Sequence, residues 1–415
     1  MRGRTRQQGI VALIVVIALF AIMALAALAM DASHVVTNKA RLQSVVDAAA
    51  LSAAKTLDLA SNSTTAATAA GNAIVRANRD AYAELDASST SFTFEYSRTY
   101  APFTPGTTPA RFVRVRASNF QTNTIMLRVA GTNRMAQSAS AISGPQPLGG
   151  TGGGADVCAI VPIALCGTPG AAATNFGIPV GAVRAVTLAG GQNNSSPIGP
   201  GNFMFLRLGA AGGDGLRENI AGAYSACATI GSTIATDPGV SSGPARQGLN
   251  SRFTTSQTGS LDTAEYPPDV VGDALETSLS VVDGAVRSGS TTVTTAEQIA
   301  GANHAAYRAR VAAQSYQNQP RPNGIGAFNR REVAVPIVNC AGASNSGTSN
   351  VTVLGFGCLY LLQKYPTGND NIFAEVIANC GAHGEPGTTP SPVLAPAAST
   401  VERIVLFRVA GSPDS

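Results

Sequence analysis

The sequence predicts an α+β protein in which one N-terminal membrane-spanning helix continues into an amphipathic helix, followed by a β-rich exported part. Three observations carry this reading. Ile10–Met30 is an uninterrupted apolar run, Asp31–Leu57 keeps helical periodicity without Gly or Pro, and alternating strand-like runs begin near Ser91. At 415 residues the chain is too long for one ordinary domain, and 45% hydrophobic residues support a sizeable core. Charged residues make up only 13%, about half the usual ~25%, which excludes disorder driven by charge. A net charge of +4 leaves no basic footprint, and no stretch interleaves arginines with aromatics, so no nucleic acid is expected as a partner. Only one segment is long and apolar enough to cross a bilayer, which argues against a polytopic transporter.

The first nine residues carry Arg2, Arg4 and Arg6 and no acid. Ile10–Met30 then has neither a charge nor a hydroxyl; seven of its 21 residues are Ala and the rest are Ile, Val, Leu, Phe or Met. As a helix it is about 32 Å long at ~1.5 Å per residue, matching the ~30 Å hydrocarbon core. Its twelve Ile, Val, Leu and Phe residues favour insertion by roughly 4–7 kcal/mol. Basic residues lie close before the span, whereas Lys39 and Arg41 come well after Asp31, which orients the N-terminus to the cytoplasm. A cleaved signal is the competing reading, since Ala24-Leu25-Ala26 and Ala27-Leu28-Ala29 fit a cleavage pattern. A signal core is typically ~7–15 residues, shorter than this run, so a retained anchor is the expectation. A prepilin leader ending at Gly9 would carry a glutamate where Ile14 stands.

On a helical projection of Asp31–Leu57, the residues Val35, Leu42, Val46, Ala49, Ala53 and Leu57 fall on one stripe, opposite Ser44, Asp47 and Lys55. The apolar span led by Gly9, the following Asp31 and the stretch LQSVVDAAAL (Leu42–Leu51) resemble the TadG-like proteins of the tight-adherence (Tad/Flp) pilus assembly system. Arg111–Phe120, Asn123–Gly131 and Met135–Ser143 look like that family's strand-rich segment. Gly201–Gly209, Leu216–Ala223, Thr236–Phe253 and Arg330–Cys340 look like a periplasmic region of some members. The resemblance implies a single-pass bacterial inner-membrane protein with a periplasmic C-terminal part. Its partners would be the membrane and other pilin-like or Tad-system subunits, its role structural, and neither enzymatic activity nor a cofactor is expected; the alternatives are an exported adhesin or envelope-polymer-binding module, which the Ser/Thr/Asn-rich loops permit, and a tethered periplasmic hydrolase. It also implies that another subunit's helix covers the stripe, since small residues four apart, Ala49 and Ala53, allow close approach. The alternative is that the stripe packs on the chain's own strands around Phe92–Phe120.

The expected organisation is a basic tail (1–9), the span (10–30), a helix-plus-strands unit (31–143), a Gly-rich linker (144–155) and a β-rich domain (156–415). Ser61–Ala70 reads as loop or weak helix. Strands are predicted at Phe92–Tyr96, Val113–Arg116, Ile125–Val129 and Met135–Ile142. Beyond the linker, strands are predicted at Val157–Leu165, Phe203–Leu208, Glu332–Val338, Val351–Phe356, Phe373–Ile377 and Arg403–Phe407. Pro162 and Pro336 demote two of them to edges or bulges. Helices are expected at Leu216–Ala226, with Asp214 as N-cap, and from Thr295, opening a capping box, to about Ala313.

Cys158, Cys166, Cys227, Cys340, Cys358 and Cys380 all lie in the β-rich domain without C-x-x-C spacing, which points to disulfides rather than zinc. Six cysteines allow 15 connectivities. An extended Cys158–Cys166 segment spans about 26 Å, too far for a bridge, and Cys340 with Cys380, each ending an Asn-Cys strand, is a guessed pair. His34, His304 and His383 are isolated in sequence and read as surface or satisfied core residues. Gly239-Val240-Ser241-Ser242-Gly243 matches G-x-S-x-G, yet Pro238 and Pro244 flank it, so a turn is expected rather than a nucleophile elbow. Asp86-Ala87-Ser88-Ser89-Thr90 resembles a von Willebrand A metal motif but follows no apolar strand. The carboxylates Asp214, Glu218, Asp262, Glu265 and Asp269 read as a solvated surface, and no metal site is expected.

Overall fold

The computed structural model describes residues 8–59, 62–86, 89–124, 126–148, 156–186, 202–209, 212–222, 224–238, 242–341, 348–366, 371–381, 383–384 and 400–407. Two compact units result. The first comprises Met1–Leu57, Thr64–Gly144 and Leu406–Ser415, the second Asp58–Ser63 and Pro145–Val405.

The first unit is built on α1 (Gln8–Leu59), a single 52-residue helix that joins the apolar run to the amphipathic segment without a break. It is followed by α2 (Thr64–Ala81), the short α3 (Ala83–Asp86), β1 (Ser91–Ser97), β2 (Phe112–Asn123), a 3-10 turn (Leu127–Ala130) and β3 (Arg134–Pro147). The strands form an antiparallel meander with Phe94 opposite Val115 and Val115 opposite Ala141. Alternation along β2 buries Val113, Val115 and Ala117. A bulge then shifts the period so that Phe120 is also buried, and it is made by Asn119 at φ 61°, a left-handed conformation Asn tolerates.

Of the two readings of the polar stretch Ser61–Ala70, the helical one holds from Thr64, which opens α2, because Ala67, Gly71 and Val75 recur every four residues and are all buried. One expected strand does not form. Ile125 lies outside the described residues, and the remainder of the strand expected there is the 3-10 turn ending at left-handed Gly131.

The second unit centres on a mixed sheet. Its main path runs Leu165–Gly167, Glu332–Asn339, Asn350–Leu361, Phe373–Ile377, Val183–Ala185; only the first pairing is parallel. The first residues of Asn350–Leu361 also pair with Thr233–Pro238, which pairs with Asn202–Leu206. Alternation divides two cores: Leu359 and Leu361 face one, Cys358, Tyr360 and Leu362 the other. Both faces are therefore covered, which explains why these strands read as continuous apolar runs. Helices Gly213–Gly222 and Ser242–Asn250 contribute Leu216, Ile220, Ala245 and Leu249 to one core. Helix His304–Ala312 contributes Tyr307 and Val311 to the other.

Several predicted bounds shift for identifiable reasons. Pro162 splits one expected strand into Asp156–Ile160 and Leu165–Gly167. Pro336 lies in an interior strand, not an edge. It is tolerated because its parallel neighbour begins pairing only at Ile337 and a bulge follows between Ile337 and Val338. Asp214 falls inside the first turn of its helix rather than at the cap, and that helix yields to a strand at Tyr224–Thr229. The capping box of Thr295 and Gln298 forms, but it opens a 3-10 turn (Ala296–Ile299), and Asn303 caps the α-helix that follows. The end of the meander, Pro145–Pro147, occupies the start of the expected linker, and 149–155 lie outside the described residues.

Candidate functional site: the N-terminal helix

Along α1 Asp31 is the first buried residue, and from there one face of the helix is covered. Phe20 is 71% exposed and Leu25 68%, whereas Asp31 is 1% exposed. The Asp31 carboxylate accepts hydrogen bonds from the backbone N–H groups of Met126 (2.9 Å) and Leu127 (2.6 Å), capping the 3-10 turn. Above it the helix is pinned along β3: the Gln137 amide donates to Val35 O (3.3 Å), Lys39 Nζ to Ser138 O, and the Gln43 amide to Ser140 O (3.0 Å). On another side His34 Nε2 lies 2.8 Å from Glu84 Oε1, and Asn38 donates to the same carboxylate. A groove of about 390 Å³ opens there, floored by Leu42, Val45, Leu85 and Phe120 and edged by Arg41, whose guanidinium lies 5.5 Å from the Tyr82 ring centre.

The six stripe residues do lie together on α1, but the chain itself covers five of them. Leu42, Val46, Ala49, Ala53 and Leu57 are at most 2% exposed, and Val35 is half-buried. The close approach expected of the two alanines is made by α2. A Cβ added to Gly71 would stand 3.2 Å from Ala49 O and 2.2 Å from the Phe94 ring, so only glycine fits between helix and strand. In this structure five of the six stripe residues are therefore covered by the chain's own residues, which is the alternative packing expected for the stripe. The sequence shows that the stripe is apolar; it does not show what covers it.

In the second unit all six cysteines pair, as Cys158–Cys227, Cys166–Cys340 and Cys358–Cys380. Cys158 and Cys227 are direct cross-strand partners. The guessed Cys340–Cys380 pair does not form: Cys340 follows Glu332–Asn339, whose parallel neighbour carries Cys166, while Cys380 meets the buried Cys358.

A buried polar centre escaped the sequence reading. Asp269, expected at a solvated surface, is 0% exposed. Its carboxylate accepts from Val271 N (2.8 Å), Arg330 N (2.8 Å), Arg331 N (3.3 Å) and the Tyr307 hydroxyl (3.1 Å). Burial pushes Asp269 up to about 6 against these donors, and lifts Tyr307 well above its ordinary range. Arg331, also fully buried, is sandwiched between the Phe253 and Tyr360 rings at 4.6 Å and donates to Leu361 O, Leu362 O and Gly272 O. Arg252 donates to Ile220 O and Arg330 O. Arginines directed at backbone carbonyls stitch loops to the sheet, which is a structural task. The charge pair Arg330-Arg331 directly before an apolar strand was the available signal.

The remaining candidates resolve similarly. His304 begins a helix and pairs with buried Glu332 (2.9 Å), so it is a satisfied core residue. Asp214 pairs with Arg217 at the surface (2.9 Å). Ser241 and the side chains of Asp86 and His383 lie outside the described residues. Among the described residues no group of three His, Cys, Asp or Glu side chains is placed to hold a metal.

Comparison with known proteins returns one family. No curated protein and no solved structure matches the chain. The family model described as putative Flp pilus-assembly TadE/G-like matches residues 9–56, which is α1 from its apolar start to near its buried end; the downstream segments likened to that family lie outside the match. Over residues 9–56 the chain carries a TadE/G-like domain of the Flp pilus-assembly family.

Proposed function

We propose that the protein is a single-pass inner-membrane component of Tad/Flp pilus assembly, with its N-terminus in the cytoplasm and the chain beyond Asp31 in the periplasm. Its role is to make contacts, not to catalyse a reaction. The observation that carries this reading is that the family match coincides with one continuous helix, apolar and exposed all round before Asp31 and buried along one face after it. An exposed apolar surface of this length suits lipid rather than water. Three disulfides suit the oxidising side of that membrane. Because the stripe beyond Asp31 is covered by the chain, contacts with other Tad subunits fall to the exposed part of α1 and to unit surfaces.

Two measurements on cells test this. Protease added to spheroplasts should degrade the part after Asp31 while an N-terminal epitope stays protected. Deletion of the gene should abolish surface pili without impairing growth. A chain found wholly in the cytoplasm, or normal piliation in the deletion strain, would contradict the proposal.

A further inference from the structure

The loop between β2 and β3 sits level with the end of the apolar span. Asp31, the first residue after that span, binds the backbone of Met126 and Leu127 directly. The hydrogen bonds that Gln137 donates to Val35 O, and that Lys39 and Gln43 donate to Ser138 O and Ser140 O, show that β3 runs in the same direction as α1. Gln137 lies level with Val35, about 6 Å above Asp31 at ~1.5 Å per helical residue. Arg134 lies three strand residues lower, about 10 Å at ~3.3 Å each, and so reaches the level of Asp31 or just below it.

What this loop exposes is not ordinary for a protein surface. Met126 is 44% and Met135 40% exposed, and Arg128 and Arg134 are exposed beside them. Glu95 pairs with Arg114 and Arg116 farther along the meander, but no Asp or Glu follows in the sequence before Asp156, and among the described residues Arg128 and Arg134 have no carboxylate at ion-pair distance. Apolar side chains flanked by uncompensated cations, at the height where an anchor leaves the hydrocarbon, match an anionic phospholipid surface.

We propose that Met126, Arg128, Arg134 and Met135 form a second membrane contact, in which the methionines enter the interface and the arginines bind lipid phosphates. This rests on the anchor reading above. It adds that the first unit is seated on the bilayer, not merely tethered to it. Such a seat would fix the tilt of the unit on its helix.

The test uses the full chain in vesicles of mixed phosphatidylglycerol and phosphatidylcholine. Because the native cysteines are all paired, single substitutions Leu19→Cys, Met126→Cys, Met135→Cys and Thr104→Cys accept a fluorophore selectively. Thr104 is exposed in the loop joining β1 to β2, at the opposite end of the meander. Lipid brominated near the headgroup should quench the labels at positions 126 and 135 but not at 104. Arg128→Glu with Arg134→Glu should weaken that quenching by about fivefold per arginine, and replacing phosphatidylglycerol with phosphatidylcholine should do the same. The label at position 19 separates the two readings. If it is quenched by lipid while positions 126 and 135 respond only to aqueous iodide, the seat is refuted and the anchor stands. If position 19 is also open to iodide, the anchor reading fails and takes the seat with it.

Discussion

Asp31 changes the surroundings of α1 within one residue. Its carboxylate is buried against two backbone N–H groups, and hydrogen bonds to a charged acceptor contribute ~1.5–3 kcal/mol each way of accounting. Asp31→Ala should therefore lower the stability of the first unit by about 2 kcal/mol and free the 3-10 turn, which hydrogen exchange at Met126 and Leu127 would register. Ala49 is a second informative position. It is 0% exposed with Gly71 and Phe94 packed above it, so Ala49→Leu should overpack the core and destabilise by ~1–3 kcal/mol. Ser44→Leu, on the exposed face, should not. If Ala49→Leu leaves the melting temperature unchanged and disrupts assembly only, the stripe belongs to a partner after all. Asp269 gives a pH signature. Its folded value, raised by burial to about 6 from 3.8, means a stabilising contribution present below the unfolded value and lost as pH rises through about 6. The wild type should thus lose about 2 kcal/mol relative to Asp269→Asn between pH 4 and pH 7, read from paired denaturation curves.

At the scale of elements, what the sequence displays depends on which surface signals the element. α1 was legible because apolar length and periodicity are long-range and unambiguous. α2 was not, because its buried face is made of Ala67, Gly71 and Val75, whose small side chains give little contrast with SNSTTAATAA around them. The strand at Glu332–Asn339 was legible as a strand, while its interior position depended on where its parallel neighbour starts, which no local pattern states. Cysteine parity indicated oxidation, but pairing needed the sheet. The pairs close loops of very different length, with sequence separations of 174 for Cys166–Cys340 and 22 for Cys358–Cys380. In the chain-entropy model these are worth about 5 and about 3 kcal/mol. Replacing both members of the first pair with serine should cost more stability than replacing both of the second, as judged by guanidinium midpoints at constant m. Equal losses would show that native packing, not loop closure, dominates.

For the whole molecule, the division of labour follows the helix. The family match runs along nearly all of it, residues 9–56, and its first half is the exposed apolar part. Its second half is the spine of the first unit, and the disulfide-bonded second unit has its own cores on either side of a sheet. The sequence showed the apolar run, the helix and the even set of cysteines, because hydropathy and composition report solvent directly. It did not show that the chain covers its own stripe, because Ala49 looks the same under Gly71 of this chain as under a helix from another. The central claim is that the exposed part of α1, not the buried stripe, meets the pilus-assembly machinery. The most direct test is photo-crosslinking in piliated cells with a photoreactive residue at Leu19, Phe20 or Val36, and in parallel at Ala49. Adducts containing other Tad-system subunits are predicted from the first three sites, with only intramolecular products from Ala49. Intermolecular adducts from Ala49, together with none from Leu19, Phe20 or Val36, would contradict it.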